Sequence, residues 1–347
     1  MVRFRPATAD STSQQVRSRA FPRRIRRILG AVAAGNLLVW TFTFLVFRTN
    51  GILLSTAVMA YMFGLRHALD ADHIAAIDNS SRKLFADGRE PYLTGFYFSL
   101  GHSTIVVVLS ALVAAGVSAI RSDLPAFQLA GEWLGTAVSV IFLLGIAAAN
   151  LLVLRKIIQA RLIRGTGPNN GEYCTIGPLT GLLRPLLRGV RQDWHLYPIG
   201  ILFGLGFDTA TEIGVLGIAA AASLKHLPIW SIMLFPALFT AGMTLLDTAD
   251  GVLMCRAYGW AAIQPGRKWT YNMIMTLVSI FLAAGVALLE VLGIAQAHWR
   301  FSHGLWNWIR IANSGWGWEI VGLAAGSLFM LIFLIFRIWR RKPLPAG

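Results

Sequence analysis

ILLSTAVMAYMFGLRHALDADHIAAIDN, the 28 residues from Ile52 to Asn79, begins as an apolar segment and carries near its middle the run Arg66-His67-Ala68-Leu69-Asp70-Ala71-Asp72-His73. At about 1.5 Å of rise per residue, this stretch is more than long enough for a helix to cross a hydrocarbon core of ~30 Å. Each acid held at mid-membrane costs about 2.5–3.5 kcal/mol on insertion scales, so a span that retains this many ionisable groups must supply them with partners. A membrane helix with work to do at its centre is the first expectation.

The rest of the chain has the same character. Seven more apolar stretches long enough to cross recur at about 29–47, 92–120, 131–154, 196–224, 229–255, 272–295 and 317–336. The expected fold is all-α, a polytopic membrane protein with about eight transmembrane helices. Of the 347 residues, 56% are hydrophobic and 14% charged, a balance foreign to a soluble domain of this length. A net charge of +15 could signal a nucleic-acid partner, but the Lys and Arg residues sit between apolar runs and not on a soluble face, so no nucleic acid is expected. Twenty-five of the 31 fall in alternate connections and at the two ends, which by the positive-inside rule puts both termini in the cytoplasm. The basic stretch Arg17 to Arg27 resembles the start of a signal peptide, yet the apolar run from Leu29 to Phe47 continues without a small-residue cleavage pattern. It is expected to be a retained first span.

Residues 1–28 are therefore expected to form a basic cytoplasmic tail and 29–347 a single transmembrane domain with a long cytoplasmic loop at about 155–194. That loop carries the breaker-rich run Gly165 to Gly171. Cys174 and Cys255 both fall on the cytoplasmic side, where thiols stay reduced, and no disulfide is expected. Trp299, Trp306, Trp308 and Trp316 cluster in one outer connection and suit an interfacial anchor. A weak internal repeat is visible: Phe63-Gly64-Leu65 recurs as Phe203-Gly204-Leu205, and Phe98-x-x-Gly101 as Phe239-x-x-Gly242. Three spans separate each pair, so spans 2–3 and 5–6 would run in opposite directions, the inverted repeat common in secondary transporters.

Eight acidic residues are placed inside these stretches: Asp70, Asp72, Asp78, Asp208, Glu212, Asp247, Asp250 and Glu290. A divalent cation is the obvious shared partner. At about 100° per residue, His67, Asp70 and His73 lie within an arc of about 120° on one helix face. Asp72 lies about 140° from His67, so it joins them only if the helix is kinked or unwound there; otherwise it pairs with Arg66 or with another span. Asp208 and Glu212 stack four apart on span five, Asp247 and Asp250 lie three apart on span six, and span three adds His102 between Ser99 and Ser103. A single histidine such as His102 is more often a packing residue than a ligand. Asp78 fits an interfacial position, and Glu290 an isolated packing acid or proton site. Imidazole with carboxylate and no thiolate suits nickel(II), cobalt(II) or zinc(II) and argues against copper(I).

The string RHALDADHIAAIDN, Arg66 to Asn79, resembles the second-helix signature of the nickel/cobalt transporter family, NiCoT, whose pattern is an Arg-His-Ala-x-Asp-Ala-Asp-His run. FSLGHS from Phe98, LGFDTATEIG from Leu205 and the Gly-Met-x-Leu-x-Asp-Thr run from Gly242 look like its other signatures. More narrowly, the chain is similar to the high-affinity nickel permeases of hydrogen-oxidising proteobacteria. The resemblance implies a secondary transporter of nickel(II), with cobalt(II) as a second candidate substrate, in a bacterial inner membrane, and no enzyme activity. It implies that His67, Asp72 and His73 take part in metal recognition; the placement of ionisable groups on spans two, three, five and six makes Asp70, His102, Asp208, Glu212, Asp247 and Asp250 further candidate metal-site residues. Asp72 and His67 can share a site only if span two departs from regular helical geometry between them.

No permanently bound cofactor is expected. The partners are membrane lipid and the divalent ion, and without a G-x-x-x-x-G-K-[ST] motif no ATP-binding subunit is required. Two alternatives were weighed. A metal exporter of related architecture is disfavoured by the lack of a histidine-rich cytoplasmic loop, and an intramembrane metalloenzyme by the lack of H-E-x-x-H or of a glutamate beside the histidine pair.

Overall fold

The structure, a computed structural model, describes residues 10–86, 88–115, 133–152, 154–155, 158, 190–206, 210–225, 227–262, 265–299, 303–313 and 315–339. Regular structure among them is helical throughout. Helix α1 (Asp10–Phe47) runs unbroken from the expected tail into the first span. Asn50 then caps α2 (Gly51–His67), its side chain accepting the Leu53 N–H at 3.1 Å. After α3 (Ala71–Ala86) and α4 (Thr94–Ala114) comes α5 (Trp133–Leu152). A 3₁₀ turn at Asp193–His195 leads into α6 (Leu196–Gly204) and α7 (Ala210–Leu224). The chain closes with the short α8 (Ile229–Ile232), then α9 (Leu234–Ala262), α10 (Pro265–Trp299), α11 (Leu305–Ala312) and α12 (Gly315–Trp339).

Five stretches are long and apolar enough to cross a membrane as continuous helices: Arg23–Phe47, Thr94–Ala114, Trp133–Leu152, Ile229–Ala257 and Met273–Gln296. Two more qualify as bent pairs, α2 with α3 at 53° and α11 with α12 at 79°. The remaining expected span, 196–224, is built from α6 and α7, which at 9 and 15 residues are each too short to cross alone. Large apolar side chains such as Leu38 and Phe281 stand 70% and 73% exposed, as they must where the solvent is lipid.

The centre of the bundle is held by glycines that let backbones touch. A Cβ at Gly64 of α2 would stand 2.0 Å from the Phe239 carbonyl oxygen of α9, and one at Gly242 would stand 2.7 Å from that of Tyr61. In the other half, a Cβ at Gly200 of α6 would lie 2.1 Å from the Phe98 oxygen of α4, and one at Gly101 would lie 2.0 Å from that of Tyr197. Both helix pairs are therefore antiparallel, and each joins a helix of one repeat to a helix of the other, with small residues allowing the close approach. These contacts also set the register. Tyr61-x-x-Gly64 matches Tyr197-x-x-Gly200, so the Phe-Gly-Leu match used in the sequence is one helical turn out. Apolar helices repeat such tripeptides cheaply, whereas a backbone contact tolerates one alignment only.

At the end of the bundle where α4 begins, the Leu93 N–H is accepted by Asp193 at 3.0 Å, and burial pushes the Asp193 carboxyl above its usual range. Lys83 donates to the Val190 carbonyl. Trp299 and Trp308 stand 63% and 71% exposed, as an interfacial anchor requires. The Trp316 side chain, the run Gly165 to Gly171 and Cys174 lie outside the described residues. Cys255 is a free thiol with no exposed surface. A membrane-permeant maleimide is therefore expected to label it only after denaturation, checked by the mass of the peptide containing it; rapid labelling of the folded protein would contradict the packing of α9.

Candidate metal site

The second span is broken where its charges lie. Ala68 N still bonds to Gly64 O at 3.2 Å, but Leu69 N and Asp70 N reach back only three residues, to Arg66 O and His67 O, each at 3.0 Å. This tightened turn ends α2, and the Ile74 N to Asp70 O bond at 3.2 Å restarts the helix as α3 on an axis bent by 53°. The departure from regular geometry expected at this point is present. It places His67 at the C-terminal end of one helix and His73 in the first turn of the next.

Three histidines meet there. The rings of His67, His73 and His102 form a nearly equilateral triangle, with centroids 4.7, 4.7 and 4.8 Å apart. They are 2%, 0% and 3% exposed, and one ligand atom from each lies within 4.8 Å of the others. A first-row dication sits ~2 Å from each coordinating nitrogen, so the ligands need to close by about an ångström or less to hold it. His102 therefore belongs to the cluster and is not a solitary packing residue.

Carboxylates wall the triangle. His67 Nδ1 lies 2.9 Å from Asp70 Oδ2, and His73 Nδ1 lies 3.2 Å from Asp247 Oδ2. An imidazole whose Nδ1–H is held by a carboxylate turns its Nε2 lone pair outward, the arrangement typical of metal-binding histidines. His102 Nε2 lies 2.8 Å from both His67 Nε2 and Glu212 Oε1. His73 Nε2 and His102 Nδ1 are buried with no hydrogen-bond partner among the described residues. Ring nitrogens facing one another across a dry interior form an arrangement that a cation completes. Phe98 packs edge-on against His73, and Phe239 lies 5.6 Å from His67, so the matched phenylalanines of the two repeats flank the site from either side.

The other candidates make fewer contacts with the rings. Asp72, in the first turn of α3, accepts the His73 backbone N–H through Oδ1 at 2.9 Å, is partly exposed, and its charge acts on both His73 and His102. Asp250 lies about a turn beyond Asp247 on α9 and is partly exposed. Asp208 lies outside the described residues. Asp78 is fully buried, accepting from Ser279 at 2.7 Å, and so is not interfacial. Glu290 accepts from Ser139 at 2.7 Å, tying α10 to α5.

Folding also revises one sequence argument. No glutamate stands beside the histidine pair along the chain, yet Glu212, four helices later, arrives within hydrogen-bond distance of His102. Two polar contributors were missed. Thr211 Oγ1 lies 3.3 Å from His67 Nδ1, and the buried Glu319 pairs with Arg66. Thr211 is adjacent to Glu212 on a helix's first turn, which was a usable signal; Glu319, at the edge of the last apolar stretch, carried none.

Helices that fit a bilayer, packed around a buried histidine–carboxylate cluster, define a multi-pass α-helical membrane protein with polar chemistry at its core. The family model for high-affinity nickel-transport proteins, NicO, matches residues 53–338, and the chain belongs to that family. It is 43% identical to a high-affinity nickel transport protein of Cupriavidus necator, covering 91% of this chain and 93% of the relative. It is 41% identical to the hydrogenase nickel incorporation protein HupN of Bradyrhizobium diazoefficiens, over 91% of this chain and 84% of that one. With the cobalt transport protein NhlF of Rhodococcus rhodochrous it shares 37% identity, covering 89% and 90% of the two chains. No solved structure matches it.

Proposed function

We propose that the chain imports nickel(II), and secondarily cobalt(II), through the bacterial inner membrane, with both termini in the cytoplasm. The observation that carries the assignment is the buried triangle of His67, His73 and His102 walled by Asp70, Glu212 and Asp247. These six groups take the ion, with the nitrogens as the main ligands and the carboxylates orienting them and balancing the charge. Asp72, whose charge acts on His73 and His102, adds to that balance, and Asp208 and Asp250 are further candidates for handling the ion. The metal is cargo and not a resident cofactor.

A potential of 100 mV, negative inside, favours inward movement of a divalent ion by about 4.6 kcal/mol, roughly three decades of accumulation. That drive removes the need for an ATP-binding subunit. It also supports import over export. Nothing in the cluster calls for a chemical step on a bound substrate, so Glu212 is assigned to holding His102, and the protein to transport and not to enzymatic activity.

Radioactive nickel accumulation in cells expressing the protein tests this directly. Accumulation is expected to rise with membrane potential and to collapse under a protonophore. Asp247→Asn, which weakens the hold on His73 while keeping its shape, is expected to raise the KM for nickel by about 10–100-fold at equal membrane abundance. Cells that gain no nickel over a vector control would remove the functional assignment.

A further inference from the structure

The α2 end that carries His67 is gripped from outside both repeats. Arg66, immediately before His67, pairs with Glu319 near the N-terminal end of α12, and the Glu319 side chain is only 8% exposed. Three residues further along α12, Gly322 lies directly on the break: a Cβ there would stand 1.8 Å from the Leu69 carbonyl oxygen and 3.2 Å from the Ala71 nitrogen. One helix thus holds both ends of the turn between α2 and α3, by charge at Arg66 and by backbone contact at Leu69 to Ala71. The requirement for a small residue is local. A Cβ at Gly326, one turn on, would meet nothing within 4 Å.

We propose that α12 is the positioning element of the transport site: Glu319 and Gly322 set the angle of the α2–α3 break, and with it the spacing of His67 from His73, without touching the ion. This rests on the assignment of the histidine cluster as the site of transport. Two physical effects act together. Because α2 and α3 meet through a turn of three residues, the bend is free to vary unless something outside holds it, and a backbone contact at Leu69 leaves little slack. Glu319 also balances the Arg66 charge next to a pocket for a dication, where an uncompensated guanidinium would repel the cargo through a poorly screening medium. Spacing of nitrogens is what a rigid cage uses to choose between similar dications, so α12 also tunes selectivity.

The test is nickel uptake kinetics for Glu319→Gln, Gly322→Ala and Gly326→Ala beside His67→Ala, each normalised to protein in the membrane. Glu319→Gln keeps the side-chain shape and removes the charge, so it decides the matter even where Gly322→Ala accumulates poorly. Both substitutions are expected to raise KM for nickel about tenfold with little change in maximal rate, and to change the order in which cobalt and zinc compete. Glu319→Asp restores part of the affinity, and Gly326→Ala behaves as wild type. A merely structural role would lower abundance and leave the per-molecule KM and competition order unchanged; that result for Glu319→Gln overturns the proposal. Should His67→Ala transport normally, the site assignment itself fails. Loss of transport in His67→Ala with wild-type kinetics in Glu319→Gln sinks the role of α12 alone.

Discussion

Replacing His67 by Ala will reduce nickel accumulation to the level of cells lacking the protein. The His67 side chain touches much of the cluster: its Nδ1 lies 2.9 Å from Asp70, its Nε2 lies 2.8 Å from His102 and 3.9 Å from Glu212. Its ring packs 4.7 Å from that of His73 and 5.6 Å from Phe239. Removing the imidazole deletes a ligand and also leaves two carboxylates, Asp70 and Glu212, without the ring that lies between them. Outer partners of metal ligands are worth about 10–100-fold in affinity, and loss of a ligand from a cage this small is expected to exceed about 100-fold. His195→Ala serves as control, because that partly exposed ring packs against Trp194 and accepts the Arg191 and Gln192 backbone N–H groups just before α6. Radioactive nickel uptake at matched membrane abundance is the measurement. Near-wild-type accumulation by His67→Ala would end the claim that the triangle carries the ion.

The second large effect is on the bundle. A Cβ at Gly95 would stand 1.8 Å from the Asp247 carbonyl oxygen and 2.4 Å from the carbonyl carbon, so even Gly95→Ala must push α4 and α9 apart. The obstructing atoms are backbone and cannot rotate away. Overpacking of this kind costs about 1–3 kcal/mol or more. The displaced residue is also the one whose carboxylate holds His73, while α4 carries His102, so the same substitution opens the metal site. Gly95→Ala is expected to lower the melting temperature of the detergent-solubilised protein by several degrees, and Gly95→Val to prevent stable accumulation in the membrane. Gly285→Ala, where a Cβ would meet nothing within 4 Å, should melt as wild type. A Gly95→Ala protein of unchanged melting temperature and uptake would show that α4 and α9 are not in backbone contact.

Much of the architecture was legible because lipid imposes one simple demand. Every spanning segment must be apolar and satisfy its own backbone hydrogen bonds, so composition and length alone mark helices such as α4, α9 and α10. The departures from that demand were just as readable. His67, Asp70 and His73 are too costly in hydrocarbon to be incidental, and the structure buries them together. Register was harder. The Phe-Gly-Leu tripeptide at Phe63 finds a counterpart at Phe203, yet the glycines that face the matched Phe239 and Phe98 carbonyls are Gly64 and Gly200, because local similarity carries no information about which backbone a glycine will face.

The sequence by itself determined the class of the protein, its helical spans and the kinds of ligand it offers, since these follow from hydrophobicity and side-chain chemistry along the chain. It also called for a break in span two if Asp72 was to share a site with His67, since a regular helix turns the two about 140° apart. Only the tertiary structure decided which acids meet the histidines from other helices: Glu212 comes to His102 and Asp247 to His73. Glu319 was recruited to Arg66 across 253 residues of chain. Such choices depend on how close two helices pack and at what angle, a quantity set by contacts between distant segments that no local pattern records.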